Sequence, residues 1–197
     1  MFPLKIISGI LFFGLLILAA CATTPPILAT PTPQPTATVM KVLPKPSILG
    51  VSIQWRDLQV TMVKAEITDD FVTDFGSTRI PSPGMKFMWV RVQLRNMANN
   101  QIDTPRPENF SVLYAATELK PTYGHRKDHT DYTAIDPILF PNQEMDAWLR
   151  FDIPDAAELK DIRFVFLPES LGVGTSFSSP IYPYSEDHPA FVWKCVP

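Results

Sequence analysis

The sequence contains few of the residues from which catalytic sites and disulfide-stapled scaffolds are built. Its 197 residues include only 2 Cys, 3 His and 8 Gly. Two cysteines are too few to staple a small scaffold. A Gly-x-Ser-x-Gly elbow is absent, and no Gly-rich turn precedes the Lys of a phosphate-binding loop. We therefore expect a protein without enzymatic activity and without a cofactor.

Positive charge is also scarce. The chain has 17 Lys and Arg against 20 Asp and Glu, a formal net charge of -3. All of the acidic residues lie at or beyond Asp57, and residues 47–197 carry 14 basic residues against 20 acidic ones, a net charge of -6. A domain of this sign repels phosphate backbones, so nucleic acid is not an expected partner.

The longest apolar run is too short for a permanent membrane span. Residues 6–20 carry no charge and follow Lys5. A spanning helix needs about 20 apolar residues, whereas the apolar region of a signal peptide has about 7–15. Small residues, Ala19 and Ala20, end the run immediately before Cys21. We interpret residues 1–20 as a cleaved signal peptide.

The four residues Leu18-Ala19-Ala20-Cys21 resemble the bacterial lipobox. The resemblance implies that diacylglycerol is attached to the Cys21 sulfur and that the signal peptide is cut before it. Because each buried acyl CH₂ contributes about 0.8 kcal/mol, two or three chains hold a protein on a membrane. An ordinary secretory signal with a chance Cys is the alternative. We expect a lipid anchor on the extracytoplasmic face of the cell membrane. Because residue 22 is Ala, the outer membrane is also a permitted location of the anchor if the host is diderm.

Residues 21–46 have the composition of a tether. Residues 22–46 hold seven Pro and six Thr, without any Asp, Glu, Gly or aromatic residue. Such a segment cannot bury enough apolar surface to offset the entropy lost on ordering. Repeated Pro favours extended polyproline II at about 3.1 Å per residue. We predict a disordered linker that lifts the following domain off the membrane.

Period-two alternation of apolar residues, which is typical of half-buried strands, recurs from residue 47 onward. The clearest run places Met145, Ala147, Leu149, Phe151 and Ile153 on one face. Three more runs each place apolar residues on one face: Met88, Val90, Val92 and Leu94; Ile162, Phe164 and Phe166; and Leu58, Val60 and Met62. Lys64 interrupts the last of these runs. A bulge near Lys64 would turn Val63, Ala65 and Ile67 toward the core instead. Many short strands between frequent turns predict a two-sheet β-sandwich over residues 47–167.

Five segments of this domain resemble a family of exported bacterial domains described as telokin-like or immunoprotective-antigen-like, which has no agreed function. The segments are 84–96 (GMKFMWVRVQLRN), 109–113 (NFSVL), 141–144 (PNQE), 151–154 (FDIP) and 162–166 (IRFVF). The resemblance implies an all-β, immunoglobulin-like β-sandwich without known catalytic residues. This chain departs from the family by having Asn142 where Gly is usual. It also adds residues 168–197, which we expect to be a C-terminal extension packed on the sandwich.

Two aromatic residues lie on the faces opposite the main apolar sets of their strands. Trp89 and Trp148 would form an exposed patch with Arg91 and Arg150 if the two strands are neighbours. Exposed aromatic and Arg side chains are typical of binding hot spots. The alternative is that the extension 168–197, which contains five aromatic residues, covers them. We predict a binding or adaptor domain for an envelope protein or a glycan.

The densest polar cluster gives an alternative function, in which the protein binds a small ligand or a metal. His125, Asp128, His129 and Asp131 carry ligand groups suited to zinc or copper. Arg126 and Lys127 lie between them and disfavour a cation, so a solvated loop is the competing interpretation.

Cys195 has no partner within the chain if Cys21 carries lipid. It is then either buried or paired with another chain.

Overall fold

The computed structural model describes residues 44–168 and 190–197. The predicted signal peptide, Cys21, most of the predicted tether and residues 169–189 of the predicted extension lie outside these ranges. The described chain contains twelve strands: β1 Ser52–Trp55, β2 Leu58–Thr68, β3 Phe71–Val72, β4 Thr78–Arg79, β5 Met85–Asn96, β6 Ile102–Asp103, β7 Phe110–Tyr114, β8 Thr117–Leu119, β9 Ile138–Leu139, β10 Glu144–Pro154, β11 Arg163–Phe166 and β12 Phe191–Lys194.

These strands form two four-stranded antiparallel sheets. The order is β1-β2-β5-β10 in the first sheet and β12-β11-β7-β8 in the second, while β3 pairs with β4 and β6 with β9. Three short 3-10 helices, Pro107–Asn109, Tyr132–Ala134 and Leu159–Asp161, are the helices of the described residues. None of them has the length and apolar character that crossing a bilayer requires. The predicted all-β sandwich is confirmed.

The core lies between the two sheets and uses the predicted apolar faces. In β10, Leu149, Phe151 and Ile153 are at most 2% exposed, as are the inward residues of β5. From the second sheet, Phe110 stacks on Phe166 with ring centroids 5.0 Å apart. Full burial of such side chains contributes about 1.5–3 kcal/mol each, so alternation in the sequence is what directs the two sheets together.

The predicted bulge in β2 is present. The pairing of β2 with β5 shifts between Met62 and Lys64, so that Val63 is the extra residue. Ala65 and Ile67 then pack against the core, as predicted, while Lys64 is exposed. The predicted inward position of Val63 is wrong, because it is the unpaired residue of the bulge and does not pack against the core. The apolar residues that follow the exposed Lys64 thus face the core again because of the bulge.

Asn142, which stands where the family that the sequence resembles usually has Gly, adopts a left-handed backbone conformation. Its φ is 59°, in the left-handed region that most side chains avoid. Asn tolerates this region better than other non-Gly residues. Asn142 can therefore take the place of Gly in this turn without a change of backbone conformation.

The second sheet includes a strand from the segment predicted as an extension. β12 pairs with β11, and Trp193 is fully buried against Phe164. Ser47 continues this sheet by a parallel bridge to Trp193. Since the pairing is parallel, the residues before Ser47 run beside those before Trp193. The described chain therefore begins near the end of the sandwich that holds Phe191. We call this end of the sandwich the entry end.

Candidate functional site

The register of the first sheet brings the four predicted binding residues together. β5 and β10 are neighbours, with Arg91 opposite Trp148 and Trp89 opposite Arg150. All four side chains belong to the outer face of this sheet. The two Trp residues join Phe71 and Phe87 in a small apolar cluster separate from the main core. We call these four aromatic residues the outer-face cluster.

The predicted exposure of Trp89 is wrong, because the outer face is covered. Trp89 is 1% exposed and meets Phe71 edge-on, with ring centroids 5.0 Å apart. Its indole N–H donates to Thr68 Oγ1 at 3.2 Å. His129 stacks on Trp148 with ring centroids 3.8 Å apart. The described cover comes from β3 and the connection between β8 and β9, whereas β12 lies in the other sheet.

Arg91 is committed to an ion pair on its own sheet. Its Nε donates to Asp146 Oδ1 at 2.7 Å, and a second hydrogen bond joins Nη2 to the same carboxylate. This carboxylate raises the pKa of the Arg91 guanidinium. A surface pair of this kind contributes at most about 1 kcal/mol to stability. Because its guanidinium is already paired with Asp146, Arg91 is less available to bind a ligand than the sequence predicted.

Arg150 lies at the edge of the outer-face cluster, where the described residues use part of its hydrogen-bond donors. Its guanidinium carbon is 5.1 Å from the Phe87 ring centroid, and Nε donates to Thr122 Oγ1 at 3.0 Å. Nη2 is 3.5 Å from Asp152 Oδ2. Burial lowers the pKa of this guanidinium. A Cβ on Gly124 would lie 2.6 Å from Nη1, so the absence of a side chain there makes room for Arg150.

Beside this cluster lies a groove that the sequence did not reveal. It has a volume of about 610 Å³ and runs between the segment 77–82 and residues 123–125, over Phe71, Phe87 and Arg150. We call it the outer groove. Three of its apolar side chains are largely in solvent: Phe75 is 91% exposed, Ile80 78% and Tyr123 67%. Exposed aromatic surface therefore lies at Phe75 and Tyr123, which were not predicted, and not at Trp89.

The position of these three residues in the sequence explains why they were missed. Phe75 precedes Gly76 and Ile80 precedes Pro81, within a stretch rich in turn residues. Short apolar stretches in turns carry no periodicity, so burial cannot be read from them. The available signal was the occurrence of large apolar residues inside a turn-rich segment.

The predicted metal loop contains two separate His contacts. His125 Nδ1 is 3.2 Å from Asp131 Oδ2, whereas His129 Nε2 is 3.3 Å from Glu66 Oε1 and its Nδ1 is 3.3 Å from Asp128 Oδ1. Across residues 44–168 and 190–197, no three His, Cys, Asp or Glu side chains converge on a point suited to a metal ion. Metal binding at this loop stays a prediction.

A thermal titration tests that hypothesis. We expect 1–10 equivalents of zinc or copper to leave the Tm of the full chain unchanged, because the two His side chains contact different carboxylates and do not converge on one point. A ligand that binds the native state raises the Tm by mass action. A rise in Tm that disappears in a His125→Ala/His129→Ala variant would instead establish the metal site.

Cys195 is a buried thiol. It is 2% exposed, and burial raises its pKa to about 12. The thiolate is the reactive form of cysteine, so this side chain is chemically inert in the folded state. Of the two states left open by the sequence, the structure has the buried thiol.

Comparisons with known proteins find similarity in structure and none in sequence. No family model matches the chain, and no curated protein matches its sequence. The yjhA protein from Bacillus subtilis is similar with a TM-score of 0.51 and 13% identity, over 74% of this chain and 97% of that chain.

Two further solved structures are weaker matches. A Bacillus subtilis protein described as "a putative lipoprotein (ycdA)" has a TM-score of 0.47 and 12% identity, over 73% of this chain and 38% of that chain. The secreted protein MPT63 from Mycobacterium tuberculosis has a TM-score of 0.41 and 10% identity, over 76% and 98%. This chain thus spans less than half of the ycdA chain. Of these three structures, the yjhA protein alone has a TM-score above 0.5, and at 13% identity that likeness shows the fold alone.

Proposed function

We propose that this protein is a non-enzymatic binding domain, anchored by lipid on Cys21 to the extracytoplasmic face of the cell membrane, and that the outer groove is its binding surface. The anchor is supported by the lipobox-like residues 18–21 after a charge-free apolar run, and by the Pro- and Thr-rich segment that follows. A tether of this composition lets a membrane-held domain reach a partner at a distance.

The observation that carries the binding proposal is the exposure of Phe75, Ile80 and Tyr123 around one concavity. Large apolar side chains that are clustered in solvent mark interaction sites, whereas scattered ones need no explanation. Arg150 at the floor adds the residue type that is enriched, with aromatic side chains, at binding hot spots.

The position of the groove fits a tethered binder. The groove contains Met85 at the start of β5 and Asp152 near the end of β10. The entry end of the sandwich lies at the other end of these strands. The Phe191 ring is 6.3 Å from that of Trp55, and Trp55 pairs with Leu58, which faces Asn96 at the end of β5. A partner in the groove would therefore not compete with the incoming chain for space.

The chemistry of the lining supports binding rather than catalysis. His125 is the groove residue best suited to act as a general base, and its Nδ1 contacts Asp131. Among the described residues, no hydroxyl or thiol is hydrogen-bonded to His125 as a nucleophile would be. The base–nucleophile pair on which covalent catalysis depends is not among these contacts.

A capture experiment tests this proposal. The tagged, lipidated protein is crosslinked in its native envelope and its partners are identified by mass spectrometry. We expect a recurrent partner with the wild type and at least a fivefold loss of it in a Phe75→Ser/Ile80→Ser variant, which removes exposed apolar surface without opening the core.

Phe140→Ser is the matched control for this experiment. Phe140 is 53% exposed and does not line the outer groove, so its loss leaves the proposed surface intact. Equal recovery of the partner by the groove variant and by this control would refute the assignment of the groove.

A further inference from the structure

The outer groove adjoins a second, smaller concavity. The second concavity has a volume of about 190 Å³, and its lining includes Trp148, Thr122 and Thr133. Tyr123 and Arg150 line both concavities, so the two meet at these residues. We call the combined surface the double groove. Because it extends over two concavities that share a boundary, it suits a chain-like ligand better than one compact molecule.

Backbone groups in the wall of the outer groove pair with one another. The Thr73 N–H donates to the Ser77 carbonyl at 2.9 Å, and the Met85 N–H donates to the Ser82 carbonyl at 3.0 Å. A peptide would bring an N–H and a C=O at nearly every residue, and such groups need partners when they are buried. The wall is therefore poorly suited to a peptide backbone, and a ligand there meets mainly side chains.

The side chains of the double groove carry charges of both signs. Two guanidinium groups and three carboxylates belong to its lining: Arg79, Arg150, Glu108, Asp131 and Asp152. A guanidinium only donates hydrogen bonds and a carboxylate only accepts them, whereas a hydroxyl group does both. The lining therefore favours a ligand rich in hydroxyl groups over a ligand whose charges all have one sign.

Exposed aromatic rings accompany these polar groups. Tyr123 lies where the two concavities meet, 67% exposed, with its ring edge-on to His125 and the centroids 4.7 Å apart. Phe75 lines the outer groove and is almost entirely in solvent. A sugar ring carries C–H groups on its faces and hydroxyl groups around its rim. The face of an aromatic ring is negative, so it attracts the C–H groups of a sugar that stacks on it.

We propose that the double groove binds a chain of sugar residues, with Tyr123 stacked on one ring and Arg150 donating to its hydroxyl groups. This inference rests on the proposed function and names the chemical class of its ligand. His125 adds an acceptor for the same ligand. Its Nδ1 is 3.2 Å from Asp131 Oδ2, so in the neutral imidazole the proton belongs on Nδ1 and Nε2 accepts from a sugar hydroxyl.

Envelope material from the host tests the ligand class, since one treatment destroys sugars and another destroys proteins. The full mature chain, purified in detergent, is added to immobilised envelope fragments that are untreated, oxidised with periodate or digested with proteinase K. Periodate cleaves the bond between two carbons that carry neighbouring hydroxyl groups and leaves peptide bonds intact. We expect full binding to untreated and to digested fragments, and a loss of at least about tenfold after periodate, because the hydroxyl groups supply the hydrogen bonds.

Two substitutions of Tyr123 test the assigned contact. Tyr123→Phe keeps the ring and should bind as tightly as the wild type, whereas Tyr123→Ser removes the ring and should weaken binding at least about tenfold. Phe140→Ser is the matched control, because Phe140 is 53% exposed and lines neither concavity. Thermal unfolding of each variant verifies that the fold is intact.

Loss of binding after proteinase K would overturn the proposal, because the ligand would then be a protein. Full binding after periodate, no binding to untreated fragments, or equal binding by Tyr123→Ser and Phe140→Ser would overturn it as well. If Phe75→Ser/Ile80→Ser still weakens partner capture, any of these results means that the binding surface is right and the ligand class is wrong. If that variant captures its partner normally, the proposed function fails together with this inference.

Discussion

Replacing Cys21 by Ser is expected to move the protein from the membrane fraction to the soluble fraction almost completely. The hydroxyl cannot take the thioether-linked diacylglycerol that the lipobox resemblance implies. A single acyl chain gives only marginal and reversible membrane binding, whereas two or three chains give stable anchoring. Fractionation of envelopes, with the intact mass of the mature protein as a second readout, measures the change.

Cys195→Ala is the matched control for this experiment, because it removes the other cysteine from a buried position. We expect it to remain with the membrane at wild-type level. Unaltered membrane association of Cys21→Ser would contradict the anchor, and so would a wild-type mass that shows no acyl chains.

Trp193→Ala is expected to destabilise the domain by about 3–5 kcal/mol, the range for truncating a buried aromatic side chain. Trp193 is fully buried, its indole N–H donates to the Val51 carbonyl at 2.8 Å, and its ring lies 5.9 Å from that of Phe164. The loss would open a cavity in the core and leave that carbonyl without its donor. Urea unfolding followed by tryptophan fluorescence and circular dichroism measures the change in the free energy of unfolding.

Phe75→Ala is the control for the stability measurement. Phe75 is 91% exposed, so its truncation should change the free energy of unfolding by no more than about 0.5 kcal/mol. The two variants are expected to act in opposite ways, since Phe75→Ala weakens partner capture and leaves stability unchanged. A wild-type urea midpoint for Trp193→Ala would show that β12 does not belong to the cooperative core.

Most of the sandwich was predictable because each strand repeats its apolar residues with period two. Phe151 and Val92 are inward for that reason, and the bulge at Val63 followed from a single charged residue that interrupts the pattern. β12 was harder to predict as a strand of the second sheet. Its sequence, FVWK, is too short to show a period, and its partner β11 is distant in the chain, since Phe166 pairs with Phe191 and Arg163 with Lys194.

The candidate site was only partly predictable. The alternation of β5 and β10 placed Trp89, Arg91, Trp148 and Arg150 on one outer face, which the register confirms. Whether that face was open or covered depended on where β3 and the connection between β8 and β9 would pack. Nothing local to those loops encodes the contact of His129 with Trp148 or of Phe71 with Trp89.

The sequence by itself determined the fold class, the inward faces of the long strands and the acidic charge of the domain, because each is a property of composition or of local periodicity. The tertiary structure alone decided which aromatic residues are available to a partner. Trp89 is buried although its place on the outer face allowed exposure, and Phe75 is exposed in a stretch whose sequence gives no indication of burial. Exposure is set by contacts between segments distant in sequence, and here the loop that covers one aromatic cluster is also a wall of the groove that leaves another in solvent.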